Sequence, residues 1–381
     1  MKRYFLLLFL ILIHIDLLAT NYPIKTIEQL DYNREAQTLN RRQLNDFPDA
    51  HTGFMFNNGD NATLKWRPQG IAGFVRPNGQ RYIAVSWYGL EAANYQDRGT
   101  RISIANVSQM SRVRYRHILL VDENGNPFTN MHAGGLVYRQ GKFHVPDSRC
   151  ISNTSICLAK KSNRADASDL NHYQIHTFSI DAIEEVPSAD RDSFHNYRYI
   201  IRRESSYTVD IKPSFLSYNW DNNEFVVGAY NNCRNDGGNE DGPHDNAPEC
   251  FKEKNKIGWY SSIVNNEISD FRSCGYFYSE MQGAALASSR AAGYDRNFWI
   301  SASWGRGHDS TLYYGQLNTN TCEFTKIASQ KKTYPAGLED IHYALTSDNI
   351  WMLTEFGSNE RASGHNNNRV VFAVKKHLIT P

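Results

Sequence analysis

The sequence predicts an all-β fold, a β-propeller of five four-stranded blades, on three observations. First, a short apolar segment opening on a small residue recurs five times: Pro68-Gln69-Gly70-Ile71, His132-Ala133-Gly134-Gly135, Lys212-Pro213-Ser214-Phe215, Met281-Gln282-Gly283-Ala284 and Pro335-Ala336-Gly337-Leu338. Second, each is followed after a turn by a strand with an aromatic or aliphatic residue near its start, at Tyr82, Phe143, Phe225, Phe298 and Ile350. Third, β-rich runs follow at Arg101 to Ile104, Tyr173 to Phe178, Ile257 to Tyr260, Thr311 to Tyr314 and Val370 to Ala373, while helical periodicity is scarce. The steps between Gly70, Gly134, Ser214, Gly283 and Gly337 are 64, 80, 69 and 54 residues, so one supersecondary unit recurs with loops of variable length.

Taken in chain order, residues 1–20 read as a signal peptide: Met1-Lys2-Arg3 precede an apolar run from Phe5 to Ile15 that is short for a membrane span. The expectation is a secreted protein with no membrane insertion. Residues 21–64 form an N-terminal extension, and residues 65–381 the propeller. A fourth strand is predicted in the first four blades, at Tyr115 to Val121, Tyr197 to Arg202, Phe271 to Tyr278 and Cys322 to Ile327, but the fifth stops after its third strand near His377. Closed propellers often complete the last blade from the other terminus, and Phe54-Met55-Phe56 is the most strand-like run upstream. The alternative is a six-bladed ring with a degenerate N-terminal blade.

Lys and Arg number 41 against 40 Asp and Glu, which removes any electrostatic case for a nucleic-acid partner. Aromatic residues make up 13% of the chain, suiting strands and stacking surfaces. An even number of cysteines in an exported chain implies disulfides. Spacing pairs Cys150 with Cys157 and Cys233 with Cys250, leaving Cys274 with Cys322 by elimination. Sequons stand at Asn61, Asn106 and Asn153, and would carry surface glycans in a eukaryotic source.

In an up-and-down blade, the start of the first strand and the connection from second to third strand share a face. Those connections are the long ones, roughly Gly89 to Thr100, Ser148 to His172, Asn231 to Lys256 and Gly357 to Asn368, so this face is the expected ligand face. Inner-strand starts bring Gln69, His132, Lys212, Gln282, Glu339 and Asp340 to the channel mouth. Second-strand ends add Trp87, Tyr88, Asp147, Arg149, Trp304, Arg306 and Glu355. Aromatic faces stack on sugar rings, and guanidinium forks hold hydroxyls or carboxylates. Gln69, Gln282, Trp87, Arg149, Trp304, Arg306 and Glu355 are therefore candidate ligand-binding residues, although Trp87 and Trp304 equally suit packing between blades. The principal reading is a binder of a small polar or carbohydrate-like ligand. The alternative is a glycoside hydrolase or polysaccharide lyase, with Asp147, Glu339, Asp340 and His132 as catalytic candidates.

No metal site is assigned. The loop Asn235-Asp236-Gly237-Gly238-Asn239-Glu240-Asp241-Gly242 reads first as a solvated tip, with calcium as the alternative; it lacks regular ligand alternation and a terminal bidentate Glu.

The Gln-Gly openings Pro68-Gln69-Gly70 and Met281-Gln282-Gly283 resemble, in architecture, those of the gluconolactonase and strictosidine synthase-like propellers. The stretch Tyr115 to Val121, followed by His132-Ala133-Gly134-Gly135, resembles uncharacterised exported bacterial propellers. These resemblances imply a propeller over about Gly70 to Phe372. The lactonase-like group carries a metal-binding Glu in a Glu-Gly-Pro opening, where this chain has Pro68-Gln69-Gly70.

Overall fold

A computed structural model describes residues 22–90, 98–149, 173–209, 211–220, 223–230, 257–274, 281–287, 296–303, 307–327, 331–344, 348–360 and 368–379. The signal-peptide segment, Trp304, Arg306, Cys150, Cys157, Cys233, Cys250, the sequon at Asn153 and the 235–242 loop lie outside them, as do most residues of the long connections.

The chain is a five-bladed β-propeller. Blade 1 comprises Trp66–Val75, Arg81–Gly89, Thr100–Asn106 and Arg114–Val121; blade 2 comprises Val137–Arg139, Lys142–Asp147, Tyr173–Glu185 and Tyr199–Val209. Blade 3 is Phe215–Asn219, Glu224–Gly228, Ile257–Tyr260 and Arg272–Cys274, and blade 4 is Met281–Ala287, Arg296–Ala302, Ser310–Asn318 and Glu323–Lys326. Blade 5 takes Leu338–Ala344, Asn349–Thr354 and Val370–Lys375, and its fourth strand is Ala50–Met55, paired antiparallel with Val371 opposite Phe54. The ring thus closes with a strand from ahead of blade 1. Because that segment completes blade 5, the six-bladed alternative is not realised.

Strand alternation explains the closure. Ala72, Phe74, Tyr82 and Ala84 of blade 1 pack toward Phe143, Val145 and Phe178 of blade 2, while Ile71, Ile83 and Val85 pack toward Trp351, Leu353 and Val371 of blade 5. Blades 2 and 3, 3 and 4, and 4 and 5 each share a comparable apolar layer. Successive side chains point to opposite sheet faces, so a blade with two apolar faces must have a neighbour on each side. Only a ring supplies this to every blade. The inner strands touch in cyclic order, from blade 1 through blades 2, 3, 4 and 5 back to blade 1.

The recurrent small residues allow that approach at the axis. A Cβ at Gly134 would stand 1.9 Å from the carbonyl oxygen of Ser214, and one at Gly70 2.3 Å from the carbonyl carbon of Gly135. Either side chain would force adjacent blades apart.

The outer edges of blades 1, 2 and 5 are covered as well. The fourth strands of blades 1 and 2 pair in parallel, with Ile200 opposite Leu119. The lead-in laces three blades: Ile24–Lys25 pairs with blade 2, Arg34–Glu35 with blade 1 and Gln37–Thr38 with Ala50–Met55. Such pairing removes the open edges through which sheets associate. A disulfide joins Cys274 of blade 3 to Cys322 of blade 4. The sequon at Asn61 is corrected by burial: its amide donates to Asn368 Oδ1 at 2.8 Å, so this nitrogen is engaged inside the fold rather than displayed for a glycan.

Candidate active site at the propeller axis

Some of the inner-strand starts and second-strand ends meet, Gln69 and Glu339 with Glu355 and His132 with Tyr88, and the meeting is acidic. Glu339, the second residue of the blade 5 inner strand, is 1% exposed, and the side chain its carboxyl hydrogen-bonds is that of Glu355. Its neighbour is Glu355, just past the end of the next strand. Burial, then the charge of Glu355, pushes the Glu339 carboxyl well above its ordinary range. Burial raises Glu355 too, but Arg67 Nε stands 3.3 Å from its Oε2 and Gln69 Nε2 donates to the same oxygen at 3.4 Å. Between two adjacent carboxyls sharing a site, the one beside the guanidinium ionises first. Glu339 therefore keeps the proton and Glu355 carries the charge.

Arg67 is held in turn by Glu360 at 2.6 Å, and Glu360 by Arg369 at 2.8 Å. Arg369 is fully buried and donates to the carbonyls of Asp60, Thr63 and Glu355, tying the short helix Asn58–Ala62 to blade 5. This chain of alternating charges positions the acidic pair from behind. Sequence reasoning did not single out Arg67, although it lies two residues before Gln69 and so on the same face of its strand. Strand period alone was the available signal.

Tyr88 and His132 form the other side of the cluster, with ring centroids 4.3 Å apart. His132 retains partial access to solvent although it lies deep in the protein; burial, then Lys212 and Arg67, lower its pKa to about 4 and keep it neutral. Lys212 is exposed at the mouth, and Gln282 is partly exposed on the blade 4 inner strand.

Asp147 is nearly buried, yet it is ionised. Burial alone would raise it, but His176 Nε2 at 3.3 Å and the Arg149 guanidinium, with Nε 2.9 Å from both carboxylate oxygens, hold it below the usual range. Arg149 also donates to the carbonyl of Thr129. Arg149 thus secures Asp147 and its own loop. His176 gave no sequence signal, because only the register across blade 2 brings it to Asp147.

Two candidates serve architecture. Asp340 is fully buried; its Oδ2 accepts from the backbone N–H of Ile71 at 3.1 Å and of Leu136 at 3.3 Å, and its Oδ1 from Ile341 at 2.9 Å. One side chain thereby staples the inner strands of blades 5 and 1 to the approach of blade 2. Trp87 has no exposure and packs against Phe56 at 4.7 Å in the layer between blades 5 and 1. Among the described residues, no group of three or more His, Cys, Asp or Glu side chains is arranged to hold a metal ion.

Comparison with known proteins adds a distant likeness. No family model matches the chain. No curated protein matches it either. Among solved structures, a GH43_1 enzyme from Xanthomonas citri complexed with xylose is 11% identical, with a TM-score of 0.42, over 88% of this chain and 92% of that one. The same enzyme complexed with xylotriose is 11% identical at a TM-score of 0.41, over 82% and 87%. A thermostable family-43 glycoside hydrolase is 11% identical at 0.42, over 81% and 89%. At these values neither substrate nor catalytic residues transfer to this chain.

Proposed function

We propose that the chain is an exported carbohydrate-active enzyme that hydrolyses glycosidic bonds at the axial cluster, with Glu339 as general acid and Asp147 as the ionised carboxylate. One observation carries this reading: among the inner-strand starts and second-strand ends stand two buried carboxyl groups in opposite surroundings, Glu339 beside the carboxyl of Glu355, which favours the protonated form, and Asp147 held by Arg149 and His176, which favours the charged form. Opposed carboxyls divide acid and base work at one pH. Glu339 gives its proton to the leaving oxygen, and Asp147 activates the attacking water or stabilises the developing positive charge. Tyr88 and His132 offer flat faces for a sugar ring. Glu355, kept charged by Arg67, is a positioning residue that raises the proton affinity of Glu339. Export rests on the pattern of residues 1–20.

The test is turnover on a panel of aryl glycosides and oligosaccharides. Glu339→Gln and Asp147→Asn should each lower kcat by about a hundredfold or more. Activity should fall at high pH as Glu339 loses its proton and at low pH as Asp147 gains one, and Glu355→Gln should move the alkaline limb downward. Unchanged kcat in both carboxyl variants sinks the assignment.

A second reading, binding without turnover, is favoured by the near-complete burial of Gln69, Glu339 and Asp340, which fills the axis beneath the Tyr88 and His132 rings. Saturable glycan binding that Tyr88→Ala abolishes, with no product over the whole panel, would select it.

A further inference from the structure

Away from the axis, on the flank of blade 1, a pocket of about 440 Å³ is walled by guanidinium groups. Arg34 comes from the lead-in, Arg101 and Arg116 from the third and fourth strands of blade 1, Arg98 from just ahead of the third strand, and Arg198 from the approach to the last strand of blade 2. Asn33, Asn196 and Tyr197 add neutral polar groups to the wall.

Among the described residues, the carboxylates nearby leave this wall positive. Asp60 serves three cationic or imidazole partners at once: Arg34 at 2.9 Å, Arg101 at 3.1 Å and His117 at 3.0 Å. Asp60 itself stands behind the pocket and is not part of its lining. Arg198 is paired with Asp31 and Glu185, and Glu185 is shared with Lys25. Arg116 donates to Asn33 at 2.5 Å and stacks on Tyr199; no carboxylate reaches it at salt-bridge distance among the described residues. Burial, then Arg198 and Arg34, weaken Arg116 as a base, with Tyr199 and Asp31 offsetting only part of this.

The wall is also built rather than incidental. Arg101 is 5% exposed, clamped between the rings of Trp66 and Trp87 at 4.4 and 4.8 Å, and its Nε is buried with no acceptor among the described residues. A buried guanidinium held by two indoles keeps one orientation, so little freedom remains to be lost when an oxyanion arrives.

We propose that this pocket binds the phosphate or sulfate ester group of a small polar ligand. Guanidiniums converging from three parts of the fold match an oxyanion with three terminal oxygens. The volume exceeds what a bare ion needs, and the amide and phenol groups of the wall suit the hydroxyls of a carrier such as a sugar. A bound ester would bridge the lead-in, blade 1 and blade 2. This site is separate from the axial carboxyls, and its test reads binding alone.

Calorimetry on the full chain with inorganic phosphate, inorganic sulfate, glucose 6-phosphate and glucose 6-sulfate decides the matter. The expected result is one site with a dissociation constant below about 1 mM at low salt for at least one ester, weakening as salt is raised. The ester arms distinguish phosphate from sulfate as the source. Arg116→Gln and Arg34→Gln should each weaken binding by about tenfold, while Arg116→Lys recovers part of the loss and Arg139→Gln, on the far side of blade 2, changes nothing. Circular dichroism and an unchanged melting profile without ligand identify variants that still fold, and wild-type Tm should rise with ester concentration. Absence of binding by all four probes overturns the proposal. So does binding that persists undiminished in both folded glutamine variants.

Discussion

Asp60 on the flank and Glu339 at the axis are both carboxyls stripped of water, and they end in opposite protonation states. Burial raises the proton affinity of each. Around Asp60, His117, Arg101 and Arg34 reverse that push and hold the group far below the ordinary range. Around Glu339 the adjacent charge is another carboxylate, so the two effects add. The protein therefore sets the charge of a buried acid through the partners that closure delivers. Burial depth by itself does not decide it.

Removing Asp60 should have the largest consequence. Asp60→Ala strands Arg101, and to a lesser degree Arg34, without a counter-charge, at an expected cost of about 3–5 kcal/mol in chemical denaturation near neutral pH. Because the folded-state pKa of Asp60 is depressed, its contribution is present above about pH 4 and fades only as pH falls below that value. Wild type and variant should therefore converge in acid; a constant gap across the titration would break the contrast with Glu339.

Glu339 should behave with the reverse sign. Its raised folded-state pKa means that the folded protein prefers the proton, so wild-type stability declines as pH climbs above about 4.3 toward the folded value. Glu339→Gln should stabilise the protein by about 1–3 kcal/mol at about pH 8 and by little in acid. A loss of stability at alkaline pH would show Glu339 to be charged in the fold.

His132 offers a smaller and sharper test. Its pKa of about 4 lies below that of the unfolded chain, so its stabilising contribution is complete above about pH 6.5 and is lost as pH falls toward the folded value. His132→Phe keeps a ring against Tyr88 and should remove about 1.4 kcal/mol per pH unit from the slope of stability in that window. The smallest effect belongs to Arg34→Gln: its side chain is 40% exposed, and thermal melts should register less than about 1 kcal/mol.

Much of the fold was legible because inter-blade contact leaves a local trace. Gly70, Gly134 and Gly283 recur where neighbouring backbones leave no room for a side chain, and the strand pairs follow each of them. The axial cluster was partly legible for the same reason: Gln69, His132 and Glu339 occupy repeat starts. Asp340 shared that position, yet its carboxyl turns to the backbone of three inner-strand segments, a choice that spacing does not encode. The flank left no trace at all. Asp60 meets Arg101 across 41 residues, and Arg369 reaches the carbonyl of Asp60 across 309. The helix Asn58–Ala62 that presents Asp60 lies in the extension for which only the Phe54-Met55-Phe56 strand is legible, and only the closure of blade 5 carries it to its partners.

The strand Ala50–Met55, clasped by Val370–Lys375, imposes a timetable on biosynthesis. About 300 residues must emerge from the ribosome before this early segment meets Val370–Lys375, so it waits with at most Gln37–Thr38 beside it while the intervening blades assemble, and the loop it finally seals is among the costliest in the molecule. A circular permutant opened at the short turn between Arg76 and Gln80 would turn that late clasp into a contact made early, moving the slow step of folding to blade 1.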